Sequence, residues 1–250
     1  MYDYLLLLAL IMISTKICGL LTEKVSLPQV LGSLLAGIIL GPSFLGILYE
    51  TDFLIKTSEI GVILLMFIAG LDTDMEELKK TGKASFIIAM LGVIVPLFVC
   101  TALHYAFYGR LPGSIGFMES LFIGVVFSAT SVSITVETLN EMGKLKTKAG
   151  TAIIGAAIID DIIGIVVLSV VSGFHGGKTN LSKLFVEIAL FFVFTAMIGF
   201  FIYKLFQAME NHHAHSRRVA IWALAFCFIL SYIAETFFGL ADITGAYFAG

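Results

Sequence analysis

The sequence predicts an all-α polytopic membrane protein, and three observations carry that prediction. Apolar residues make up 59% of the 250 and charged residues only 13%, against about 45–50% and 25% in soluble domains. The apolar residues gather into stretches long enough to cross a hydrocarbon core of about 30 Å as helices. Polar connectors with Gly, Pro and charge separate them, with no β alternation and no long disordered tract. Mean hydropathy is +1.02. The net charge of −3 argues against nucleic acid as a partner. Cys18, Cys100 and Cys227 are too widely spaced to form a ligand set and read as small apolar fillers.

Eight apolar segments and the start of a ninth follow one another: 4–22, 28–47, 57–72, 84–107, 118–139, 149–173, 184–207 and 218–237, with the ninth beginning near 240. The first lacks a basic n-region and a small-residue cleavage site and contains Lys16, so it reads as a retained span rather than a signal peptide. The second carries Gly32, Ala36 and Gly37, small residues that suit close helix packing in lipid. Near the outer end of the third, Glu59 is positioned either to line an outer vestibule or simply to meet water. The connector after the seventh holds His212, His213 and His215 beside Arg217 and Arg218. These imidazoles are candidates for sensing pH near neutrality, with a solvated connector as the plainer reading.

The fifth segment has a polar, β-branched centre, Ser128-Ala-Thr130-Ser131-Val-Ser133-Ile-Thr135. Hydroxyls compete for backbone hydrogen bonds and weaken helix continuity. At membrane depth a helix break is tolerated where it is buried in protein or lines a watery cavity, and half-helix ends there coordinate small cations. Thr130, Ser131 and Ser133 are therefore candidate ion-site residues. The sixth segment carries Asp160 and Asp161 side by side, the only groups between Lys148 and His175 able to bear a full charge. An ionised side chain at the bilayer centre costs at least about 2.5–3.5 kcal/mol, which makes the pair a candidate site for protons and cations. Consecutive helical residues point about 100° apart, so one carboxylate can face a cavity while the other meets a neighbouring helix. Desolvation and mutual repulsion disfavour the charged form of both, so a proton and a cation compete for one site.

Assigned to their nearest connectors, eleven Lys and Arg fall on the odd-numbered connectors and four on the even-numbered ones. The positive-inside rule then makes the odd connectors cytoplasmic and the N-terminus external. The centres of segments five and six are expected to meet at one depth. LPQVLGSLLAG (27–37) also aligns with LADITGAYFAG (240–250), sharing Gly32 with Gly245, Ala36 with Ala249 and Gly37 with Gly250. Seven spans separate the copies, and an odd offset inverts topology, as in inverted-repeat transporters. The second repeat has barely begun at Gly250, so the chain reads as the N-terminal portion of a longer protein.

LPQVLGSLLAGIILGPSFLG (27–46), SEIGVILLMFIAGLDTD (58–74), FSATSVSIT (127–135) and GAAIIDDIIGIVVL (155–168) together resemble bacterial cation:proton antiporters of the sodium/proton exchanger superfamily, in family order. The resemblance implies a thirteen-span inverted-repeat fold, truncated here in its second repeat, with a dimerisation domain and a six-helix core holding two crossed, broken helices. It implies Asp161 as the carboxylate that binds the monovalent cation or proton, and Asp160 as its companion, normally paired with a lysine of the second repeat. Thr130 and Ser131 would border the ion site. The domain division expected is 1–173 for the first repeat (spans one to three scaffold, four to six core), 174–217 for a linker helix and connector, and 218–250 for the start of the second repeat.

The Asp-Asp form resembles electrogenic sodium/proton antiporters, whereas potassium-efflux relatives usually carry Gln-Asp and electroneutral exchangers Asn-Asp. Sodium (or lithium) and protons are the expected partners, with potassium as the alternative, in a multi-pass protein of the cell membrane that forms a homodimer when full length. No cofactor and no enzymatic activity are expected. Of other classes, a channel or structural membrane module has less in its favour. An intramembrane aspartyl protease has least, because adjacent helical carboxylates cannot easily share one catalytic water and no GxGD motif occurs.

Overall fold

The computed structural model describes residues 3–109, 116–174, 181–212 and 216–250, which form ten helices and no strand. In chain order these are α1 (Asp3–Lys24), α2 (Gln29–Leu40), α3 (Asp52–Leu71), α4 (Met75–Tyr108), α5 (Phe117–Ser128), α6 (Val132–Glu141), α7 (Lys148–Phe174), α8 (Leu181–His212), α9 (Ser216–Phe238) and α10 (Asp242–Ala249). With α5 and α6 taken as one interrupted passage, seven helical segments are long and apolar enough to cross a membrane. The chain is a multi-pass α-helical membrane protein.

Two boundaries differ most from the hydropathy reading, each for a local reason. The segment expected at 28–47 is helical only to Leu40. Gly41 precedes Pro42, which pushes it to extended backbone (φ −72°, ψ −179°). The chain then folds back, so that the N–H groups of Ile47 and Leu48 bond to the Leu40 carbonyl at 2.9 and 2.8 Å. Twelve residues rise about 18 Å, less than a hydrocarbon core. Conversely, α4 begins at Met75 rather than near 84, inside what reads as a charged connector. The Asp74 carboxylate caps it, accepting from the Glu76 and Glu77 N–H groups at 2.8 and 3.3 Å, and those two acidic residues suit the positive end of the helix.

The helices pack in three sets. In the first, α4 runs against α5 and α7, and α5 and α6 lie on α7. A Cβ on Gly124 of α5 would come within 2.6 Å of the Leu97 carbonyl of α4, so only glycine allows that approach. In the second, α1 pairs with α2; in the third, α10 packs on α9 and α3, and α8 on α9. At the α1–α2 crossing a Cβ on Gly32 would strike the Cys18 and Gly19 backbone, and at the α9–α10 crossing one on Gly245 would lie 2.6 Å from the Leu230 carbonyl and 2.8 Å from Ser231 Cα. Helix α6 bridges the sets, touching α2, α3 and α7. Met66 and Phe67 of α3, Val132 and Val136 of α6, Ile154 and Ile158 of α7 and Tyr247 of α10 form the buried apolar cluster beneath it.

Candidate functional site

The chain leaves helical geometry at Ala129–Ser131, between the last residue of α5 and the first of α6. Hydroxyls stabilise both new ends. Ser128 donates to the Val125 carbonyl at 2.8 Å, Ser131 accepts the Ile134 N–H at 3.4 Å as N-cap, and Thr135 donates to the Ser131 carbonyl at 3.0 Å. The break therefore brings together the carbonyl-bearing, partially negative end of α5 and the partially positive end of α6.

Helix α7 is continuous from Lys148 to Phe174 and holds Asp160 and Asp161 at its centre. Asp160 is 8% exposed. The backbone N–H and the hydroxyl of Thr130, in the break, both face its carboxylate. Asp161, the next residue round the helix, is partly exposed and feels the neighbouring Asp160 charge. A carboxylate facing the donors of Thr130, beside a second carboxylate on the same helix, supplies oxygen ligands suited to a small hard cation or to a proton.

The remaining sequence candidates are placed as follows. Thr130 and Ser131 lie in the break and are exposed, while Ser133 is half-buried in the first turn of α6 and faces a cavity shared with α1, α2 and α3. Glu59 is exposed on α3 and pairs with Lys56 one turn earlier at 2.9 Å. His212 ends α8, and His213 and His215 lie outside the described residues. Sequence reading missed contacts between separate elements, among them the following. His104 of α4 shares a 3.1 Å hydrogen bond with Ser120 of α5 and stacks on Tyr108. Glu141 of α6 accepts the Gln29 N–H at the start of α2 at 2.7 Å. Lys146, in the loop before α7, pairs with Asp72 at the end of α3 at 2.8 Å. Only the four-residue spacing of Ser133, Glu137 and Glu141 hinted at one polar face on α6.

Fold and site together define a polytopic helical membrane protein with a carboxylate pair at an interrupted helix. Residues 9–250 match the family described as sodium/hydrogen exchanger, transmembrane, and the chain belongs to that family. It is similar to the probable Na(+)/H(+) antiporter GerT of Bacillus cereus, 38% identical over 97% of this chain and 63% of that protein. Similarity extends to the Na(+)/H(+)-K(+) antiporter GerN of Bacillus cereus, at 36% over 100% of this chain and 63% of GerN. The Na(+)/H(+) antiporter of Enterococcus hirae is 34% identical over 99% of this chain and 64% of its own length. The chain thus spans less than two thirds of the length of these relatives.

Proposed function

We propose that this chain carries the ion site of a secondary antiporter that exchanges protons for monovalent cations across the cell membrane. The observation that carries the reading is the meeting of Thr130, in the α5–α6 break, with buried Asp160, beside Asp161 at the centre of α7. Asp161 is the carboxylate that takes either the cation or a proton. Asp160, held by Thr130, shapes the site and awaits a positive partner. Thr130 and Ser131 border the bound ion. Exclusive occupancy by proton or cation produces exchange once the site alternates between the two sides of the membrane. If two protons return per sodium ion, one net charge moves, worth about 2.3 kcal/mol per 100 mV.

Sodium is the first choice of cation, in keeping with the sodium/proton antiporters among the relatives. Potassium is the second reading, favoured by the Na(+)/H(+)-K(+) description of GerN. The charge asymmetry supports an external N-terminus. The like placement of Gly32 of α2 against α1 and Gly245 of α10 against α9 supports treating α1–α2 and α9–α10 as counterparts in an inverted repeat. On that reading residues 1–173 form the first repeat, 174–217 a linker and 218–250 the opening of the second, in a protein that works as a homodimer.

The test uses the full-length protein in everted vesicles, with sodium, lithium and potassium added in turn to a preformed proton gradient. Asp161→Asn is expected to abolish cation-induced dissipation of the gradient while membrane insertion persists. Exchange at the unsubstituted rate would overturn the assignment, and the order of the three cations decides between the two readings.

A further inference from the structure

A cavity of about 650 Å³ lies between α1, α2, α3 and α6, and its polar wall includes Lys16, Gln29, Ser33, Ser133, Glu137 and Glu141. Three of these carry charge, and two of the three are already engaged. Lys16 donates to the Gln29 side-chain carbonyl at 3.3 Å. Glu141 accepts the Gln29 N–H at 2.7 Å, closing the start of α2, where the N-cap Pro28 offers no side-chain acceptor. Glu137 is half-buried and has no hydrogen-bond or ion-pair partner among the described residues.

Position gives that unengaged carboxylate its meaning. Ser133, Glu137 and Glu141 are spaced four residues apart, so they stand above one another on a single face of α6. The face descends about 12 Å, from Glu141 at the end of the helix to Ser133 in its first turn. Ser131, the N-cap of α6 and part of the break, lies two residues further on. The same end of the molecule carries Lys24, Lys144, Lys146 and Lys148, the residues whose distribution assigns it to the cytoplasm. The cavity therefore leads from that side towards the break, with Glu137 midway along its α6 wall.

We propose that Glu137 is a cation-capture residue: a hydrated monovalent cation pauses at its carboxylate in this cavity before passing Ser133 to the break. The inference rests on the antiport reading above and adds a specific residue on the cytoplasmic approach. Glu137 sets how strongly the cation is drawn from that side and takes no part in the exchange step at the aspartates. A single charge about 4 Å from a cation in water-like surroundings changes its local concentration about fivefold, which sets the expected size of the effect.

The test measures sodium-dependent proton movement by the full-length protein in vesicles of both orientations, with Glu137→Gln, Glu137→Asp and Asp161→Asn side by side. Glu137→Gln is expected to raise the KM for sodium presented from the cytoplasmic face about fivefold. Maximal rate and the KM from the opposite face stay unchanged, and Glu137→Asp restores the KM to within about twofold. An unchanged cytoplasmic KM, a shift equal on both faces, or a fall in maximal rate would overturn the proposal. So would a Glu137→Asp variant as impaired as Glu137→Gln, which would mark a packing role. Asp161→Asn separates the two claims. If it is inactive while Glu137→Gln behaves as unsubstituted protein, only the capture role fails; if it remains active, the antiport site itself has been misassigned.

Discussion

At the α1–α2 crossing Gly32 lets one backbone touch another, whereas at the α5–α6 break the helix is interrupted, hydroxyls cap its ends and Thr130 faces Asp160. At the first contact both helices remain regular and gain from close van der Waals approach. The second gives up regular backbone bonding over Ala129–Ser131 and replaces it with side-chain caps and with Thr130 against Asp160. The second leaves polar groups outside regular helix among the described residues. Scaffold and site are thus distinguished by where the backbone is allowed to remain unsatisfied.

Substitutions separate the two regions, because each should disturb a different observable. The largest effect on stability belongs to the scaffold. Gly32→Val would drive a branched side chain into the Cys18–Gly19 backbone and is expected to cost about 1–3 kcal/mol, or more if the helices cannot part. Thermal unfolding of the full-length protein in detergent would show the loss, with exchange per folded molecule nearly unchanged. Normal stability with lost exchange would erase the distinction drawn here.

A smaller effect is expected at the break. Thr130→Val keeps the shape of the side chain and the backbone N–H but removes the hydroxyl, at a cost of about 0.5–1.5 kcal/mol. Here the loss should fall on the KM for the cation, with melting temperature little altered. Combined with Asp160→Asn it should be less than additive, since the hydroxyl and the carboxylate act together. Full additivity in transport would mean that the two side chains do not form one unit.

Much of this contrast was legible in the sequence. The hydroxyl run from Ser128 to Thr135 announced the weak helix, and the isolated Asp160-Asp161 pair announced an expensive group at its level. The α4 start was legible too, in Asp74 followed by Glu76 and Glu77, but hydropathy gave those charges to a connector. The early end of α2 was harder to see: Phe44, Leu45, Ile47 and Leu48 keep the stretch apolar, and only Gly41-Pro42 and Gly46 (φ +60°) turn it. The bond from Gln29 to Glu141 spans 112 residues, and Asp72–Lys146 likewise joins separate elements. No local pattern encodes such contacts, because they depend on how α6 comes to rest against α2 and α3.

The central claim is that cation and proton compete at Asp161, and its most direct test is to count protons released on cation binding. Sodium added to the purified full-length protein in weakly buffered solution is expected to release protons in proportion to the protein present, and Asp161→Asn is expected to release none above a protein-free control. Release from Asp161→Asn equal to that of the unsubstituted protein would contradict the account.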